Sequence, residues 1–215
     1  FVVFPKFILI GWTGTAEKRS LFCVYRVMEE YFVGVDASFS RTGVALLKKS
    51  KDPTKDAVVV KSVSITAPTY EENKYQLEYT MEGADWLARK ILKQIKSWSK
   101  EYNIVLGVIE YPVLATRSGA YLGLIQQAMY MLYPWLNIPF FGVPSNAIKS
   151  ISKYKSKAEL VDWCQRHFQF DCETHRRGRW IINHDESSAV VLALIGLQIR
   201  TGVYKKSKKA FYKLK

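Results

Sequence analysis

Residues 31–49 read YFVGVDASFSRTGVALLKK, and this stretch decides the fold. Tyr31–Asp36 is short, rich in β-branched and aromatic residues, and ends in a carboxylate. Thr42–Lys49 is a second apolar run, reached through a short connection of mostly small and polar residues. Two such runs with turn residues between them predict paired strands. Ala57–Thr66, AVVVKSVSIT, adds a third strand beyond the polar break at Ser50–Asp56, so the chain opens as a three-strand meander.

The period then changes. Leu77, Met81, Ala84, Leu87, Ile91, Ile95 and Trp98 step by three or four, which predicts an amphipathic helix. Ile104–Glu110, IVLGVIE, is a continuous apolar run, the mark of a strand covered on both faces. Ser118–Leu132 reads as a helix, Ile138–Val143 as a short strand closed by Pro144, and Ser156–Phe168 as a helix with Leu160, Val161, Cys164 and Phe168 on one face. Asp185–Ile199 is a strongly apolar last helix. Three meander strands followed by strand–helix alternation predict an α/β fold, a mixed five-stranded sheet flanked by helices. A right-handed crossover sets the Ile104 strand beside the first one.

Outward from this core, the 215 residues suit one domain, and 48% apolar content is enough to bury a core. Net charge is +13 and the isoelectric point is near 9.6, which points to a polyanionic partner, nucleic acid before membrane. Three cysteines make no disulfide scaffold and suit a reducing compartment, cytoplasmic or organellar. The apolar stretch Phe1–Trp12, broken by Pro5 and Lys6, is short of the ~20 residues of a membrane span. Met28 stands just before the first strand, so residues 1–27 read as an extension, from an upstream start or from outside the native chain. They hold four basic residues and one acidic, leaving +10 to the remainder. Residues 28–200 form the expected domain, and 201–215 a basic tail.

Three carboxylates carry the chemistry. Asp36 and Glu110 end strands, and ligand sites in open α/β sheets lie at such carboxyl ends. Asp185 opens the last helix. Each has a plain alternative. Asp36 can bond turn amides, and Glu110 can emerge into solvent. The acidic start of the helix is a capping box of Asn183 with Glu186. Together, three carboxylates in one cleft repel unless cations lie between them. Oxygen donors favour magnesium or manganese, and two such ions ~4 Å apart are a known device for phosphodiester hydrolysis.

These segments resemble the RuvC-type Holliday-junction resolvases of the RNase H-like superfamily, from about Phe32 to Arg200. GVDASFSRTGVA (34–45) resembles the family's opening hairpin, and VIEYP (108–112) its second acidic motif. SGAYLG (118–123) resembles the next helix start, VPSNAIK (143–149) a Pro-then-Lys stretch, and SKAELV (156–161) a helix begun by lysine. HDESSAVVLALI (184–195) resembles the last acidic helix. The resemblance implies metal-dependent resolution of four-way DNA junctions by homodimers, leaving 5′-phosphate and 3′-hydroxyl ends. It implies metal-ligand roles for Asp36, Glu110 and Asp185, and basic residues near the scissile phosphate at Lys149 and Lys157. Ser188 stands where the family usually has a second Asp; serine can hold a metal-bound water but brings no charge. Glu186 or His184 are the candidates to compensate, and His184 also suits an acid or base role. Val113 and Leu114 stand where the family has a wedging aromatic.

Basic residues gather in three runs: Lys149, Lys153, Lys155 and Lys157; Arg176, Arg177 and Arg179; and Arg200 with the lysines of 205–215. The first two flank the acidic positions and suit phosphate contacts. The third reads as a solvated tail. Tyr154 and Trp180 read as packing before base stacking. Cys164, His167, Cys172 and His175 have zinc-like types, but Cys164 falls on the apolar helix face, so buried thiols are the expectation.

Two alternatives stay open. One is a non-catalytic nucleic-acid-binding relative, motivated by Ser188; the other is a nuclease for RNA-containing substrates. A proofreading exonuclease would want Glu where Ser38 stands. An actin-like ATPase needs more chain.

Overall fold

A computed structural model of the chain describes residues 28–38, 41–52, 56–66, 76–111, 123, 136–168, 173–176, 179–182, 184–204 and 212–213. β1 (Tyr31–Asp36), β2 (Arg41–Lys49) and β3 (Ala57–Thr66) form the meander, each antiparallel to the next. α1 (Gln76–Trp98) carries the chain across to β4 (Ile104–Tyr111), which lies parallel to β1. β5 (Phe140–Pro144) is parallel to β4. The five-stranded mixed sheet expected from the sequence is present in the order β3-β2-β1-β4-β5. β8 (Tyr212–Lys213), at the tail, extends it to six by pairing with β5.

Alternation along the strands assigns each side chain a face. Phe32 packs with Ala45, Leu47, Leu106 and Val108 in one core. Val33 and Val35 pack with Val44, Leu46 and Ile109 in the other. α1 covers this second core through Ala84, Leu87, Ile91 and Ile95, the positions of its predicted stripe. The first core lies under three helices: α2 (Ser145–Ser152), α3 (Lys157–Phe168) and α4 (His184–Arg200). Burying Leu192 and Ile195 completely contributes roughly 1.5–3 kcal/mol for each side chain.

α4 is apolar on nearly every side because it is walled in nearly all round: every residue from Ser187 to Leu197 is buried. Two glycines let it lie directly on the sheet. A Cβ on Gly34 would stand 2.0 Å from the Ala189 carbonyl oxygen, and one on Gly43 would stand 2.0 Å from that of Asp185.

Four elements depart from expectation. α2 was not expected, because Pro144 reads as the end of a strand; it is also the N-cap of the helix, where its extended backbone and missing N–H cost nothing. β6 (Glu173–Arg176) and β7 (Arg179–Ile182) form a separate hairpin, masked in the sequence by its basic composition. β8 is too short for a periodic signal. The helix predicted at Ser118–Leu132, with the motif at 118–123, lies outside the described residues except for Gly123, which is helical. Val113 and Leu114 also lie outside them. No helix among the described residues is long and apolar enough to cross a membrane.

Candidate active site

The strand parity that buries Phe32 and Val108 under α4 also turns Asp36 and Glu110 to that side. The last paired positions of β1 and β4 are Val35 and Ile109, so Asp36 and Glu110 follow next on adjacent strands. β2 pairs Gly43 with Asp36, and the bare Gly43 backbone lets the first turn of α4 descend onto the strand ends. That turn brings Asp185 and Ser188 to the same place, 5% and 7% exposed. A cleft of about 360 Å³ results, lined by Asp36, Glu110, Asp185, Ser188, His184 and Lys157, together with Ser38, Arg41, Ile148, Tyr154 and Leu160.

The electrostatics follow from crowding. Burial, then the charges of Glu110 and Asp185, push the Asp36 carboxyl up to about 8 from its ordinary 3.8, against the hydrogen bond from Ser188 and the charge of Lys157. Glu110 is raised by burial and lowered by Lys149. Asp185 is held at both oxygens: Arg41 Nε lies 3.2 Å from Oδ2, and His184 Nε2 lies 2.9 Å from Oδ1. The same His184 nitrogen is 2.7 Å from Lys157 Nζ. Burial pushes the imidazole below its ordinary value, Lys157 and Arg41 lower it further, and Asp185 opposes them. Burial raises the Tyr154 hydroxyl, helped by Glu110 and Asp36.

Among the described residues, no group of three His, Cys, Asp or Glu side chains stands ready to hold a metal ion in this arrangement. The donor chemistry still fits a hard divalent cation: every acidic donor is an oxygen, and the Asp36 carboxyl, raised by burial first and by the charges of Glu110 and Asp185 second, is one whose charged form a cation would favour.

Six of the expected site residues are therefore gathered: Asp36, Glu110, Asp185, His184, Lys157 and Ser188. Glu186 is not among the residues lining the cleft. It leaves the helix on the β3 side, where Ser62 donates a hydrogen bond to it. It was expected beside the metal ligands and lies apart from the cleft lining, because one residue of helix turns its side chain about 100° from Asp185. Lys149 is exposed on α2, close enough to Glu110 to lower its pKa. Lys153 and Lys155 are exposed on the α2–α3 connection, with Lys153 in the left-handed conformation (φ 54°) that closes α2. Arg176 and Arg179 face each other in the β6–β7 register. Arg177 lies outside the described residues, as do the side chains of its two neighbouring arginines and Trp180.

Two polar residues of the site, Ser38 and Arg41, had no individual role in the sequence reading. Both sit in the quoted hairpin connection, and Arg41 carries an unusual signal: a lone cation two residues before the glycine that meets Asp185. Cys164 is buried with its thiol 3.5 Å from the Ser187 carbonyl oxygen, while His167 is exposed and stacked on Trp163. Cys172 and the side chain of His175 lie outside the described residues.

No family model matches the chain, and no curated protein matches it by sequence. Solved structures do. RuvC from Thermus thermophilus matches with a TM-score of 0.58 at 10% identity, over 80% of this chain and 96% of that one. T. thermophilus RuvC in complex with a Holliday junction substrate matches with a TM-score of 0.55 at 12% identity, over 83% and 98%. The yeast mitochondrial Holliday junction resolvase Ydc2 gives a TM-score of 0.49 at 10% identity, over 82% of each chain. The chain has the RuvC type of the RNase H-like fold.

Proposed function

We propose that this protein is a divalent-metal-dependent endonuclease that resolves four-way DNA junctions. The observation that carries the reading is the convergence of Asp36, Glu110 and Asp185 in one cleft beside Lys157, on a fold shared with a RuvC bound to a Holliday junction. Asp36, Glu110 and Asp185, with Ser188 through a water, are the residues that would hold magnesium or manganese. Such ions supply an activated water and charge stabilisation at the leaving oxygen.

The chain's own groups position the DNA. Lys149, Lys153 and Lys155 are exposed around the α2–α3 connection, where a backbone phosphate can meet them. Arg176, Arg177 and Arg179, close in sequence to the acidic helix start, are further candidates for phosphate contact. Lys157 borders the cleft and offsets its negative charge. His184, kept neutral by burial, offers Nε2 as a site where a proton is taken or given. The protein works as a homodimer, because two cleft copies related by a two-fold axis match the symmetric strands of a junction.

The test is cleavage of a synthetic four-way junction with magnesium, with manganese and without metal. Wild type cuts only with metal and leaves 5′-phosphate ends, and Asp36→Asn does not cut. Equal cutting by both proteins sinks the assignment of the site. Binding without cutting, with Ser188 in place of an acid, supports a non-catalytic junction binder. Preference for an RNA–DNA hybrid would move the substrate class to RNA.

A further inference from the structure

Tyr154 lines the cleft, and nothing in the chemistry above uses it. Its place in the chain is fixed from both sides. Lys153, in the left-handed conformation, ends α2 and donates its N–H to the Lys149 carbonyl oxygen at 2.8 Å. On the other side, the Lys155 N–H donates to Oε2 of Glu159 at 2.8 Å, and Ser156 Oγ accepts from the Glu159 N–H at 3.3 Å, which ties the connection to the first turn of α3. Lys153 and Lys155 are exposed, whereas Tyr154 between them is half-buried and packs against the core under α2 and α3. The ring is thus turned inward, into the cleft wall that Ile148 and Leu160 also form.

The hydroxyl end lies near the acidic centre. Burial raises its pKa first, and the charges of Glu110 and Asp36 raise it further, so it stays protonated and able to donate. No hydrogen bond acts on it. The other donors of the cleft are engaged. Arg41 and His184 are on Asp185, Ser38 donates to the Arg41 carbonyl oxygen, and Ser188 bonds Asp36. Lys157 meets His184 and acts on Asp36 through its charge. Among the described residues lining the cleft, Tyr154 therefore brings a neutral O–H with no partner in the protein. Its apolar surroundings would pack a phenylalanine equally well, so the hydroxyl is the part that packing leaves unexplained. A half-buried O–H facing two carboxylates suits an acceptor that arrives between them.

We propose that Tyr154 is a catalytic residue: its hydroxyl donates a hydrogen bond to a non-bridging oxygen of the phosphate that is cut, from the α2–α3 wall of the cleft. This rests on the nuclease reading and deepens it. A donor held in place before the substrate arrives stabilises charge on the phosphate oxygens without reorganising during the reaction. Being neutral, it does so without forming an ion pair with Asp36 or Glu110, as a lysine at the same point would.

The test compares wild type, Tyr154→Phe and Tyr154→Leu on a synthetic four-way junction, by single-turnover cleavage at saturating protein, junction affinity in a chelator, and melting point. Tyr154→Phe keeps the ring, so packing and any base stacking survive. Its cleavage is expected to fall about 10–100-fold, the range of one hydrogen bond to a charged group, with affinity and melting point unchanged. The junction is also made with sulfur in place of each non-bridging oxygen of the cut linkage in turn. Sulfur is a poorer acceptor, so for one of the two isomers the losses from sulfur and from Tyr154→Phe should not multiply. Losses that multiply for both isomers overturn the proposal, as does cleavage by Tyr154→Phe at the wild-type rate. In that second case a loss of junction affinity in Tyr154→Leu makes the ring a stacking surface, and no loss leaves it as packing. Should Tyr154→Phe fail to fold, wild type decides: an isomer that stays slow when manganese replaces magnesium supports a protein donor at that oxygen, and rescue of both isomers overturns it. No cutting by wild type overturns the nuclease reading, and this proposal with it.

Discussion

Asp36→Asn is expected to make the metal-free protein more stable while abolishing cleavage. The substitution keeps the size of the side chain and an oxygen for the Ser188 hydrogen bond, and removes one charge from a crowded, buried set. The magnitude follows from the raised pKa, about 8 against an ordinary 3.8. The folded state binds this proton more tightly than the unfolded state. Stability from Asp36 is therefore complete below pH ~4, falls as pH rises, and levels off above about 8. Each tenfold gain in proton affinity on folding is worth about 1.4 kcal/mol, so the full effect is on the order of several kcal/mol. For a chain of this size, ~1 kcal/mol moves Tm by about 2–4 °C. The variant is thus expected to melt on the order of 10 °C higher at pH 8. Glu110 and Glu186 also carry raised values, and both remain in the variant, so the difference between proteins isolates Asp36. The assay is thermal denaturation in a chelator at pH 4, 6 and 8, repeated with manganese. The gap should close toward pH 4, and manganese should raise the melting point of wild type far more than that of the variant. Equal melting points at pH 8, or a gap independent of pH, would refute the claim that Asp36 is a buried carboxyl crowded by Glu110 and Asp185.

Gly43→Ala places a methyl group 2.0 Å from the Asp185 carbonyl oxygen, so the first turn of α4 must lift. We expect a loss of ~1–3 kcal/mol from overpacking and a ~100-fold loss of cleavage from misplaced Asp185, read by denaturant titration and single-turnover kinetics. Replacing Lys149 and Lys153 together by Ala should weaken the salt dependence of junction binding, with the log–log slope falling by about one for each phosphate that a lysine no longer neutralises. An unchanged slope removes these lysines from the interface. Ser188→Asp adds a fourth carboxylate beside Asp36 and should lower the metal-free melting point at pH 8, with manganese restoring it; a drop that manganese leaves untouched argues against a shared cation.

The parts legible in sequence are those where one physical pattern acted alone. Runs rich in β-branched and apolar residues, bounded by turn residues, marked β1, β2 and β3, and β4 showed itself as a run buried on both faces. The 3–4 stepping from Ala84 to Trp98 marked α1, and each of those residues packs in the second core or lies buried against it. The strand-end positions of Asp36 and Glu110 followed from the same patterns, and parity then put both on the α4 face. Where two signals competed, the reading failed. Pro144 stops one element and caps the next, so α2 stayed hidden behind β5. The β6–β7 strands carry arginines where apolar alternation is expected. Glu186 differs from these: composition alone could not say which way its side chain leaves the helix, and its helical angle carries it to Ser62. Arg41 is the most instructive. No local pattern ties residue 41 to residue 185, because the link runs through space, across the seat that Gly43 provides for α4. A charge whose meaning depends on one long-range packing contact becomes readable only once that contact is built.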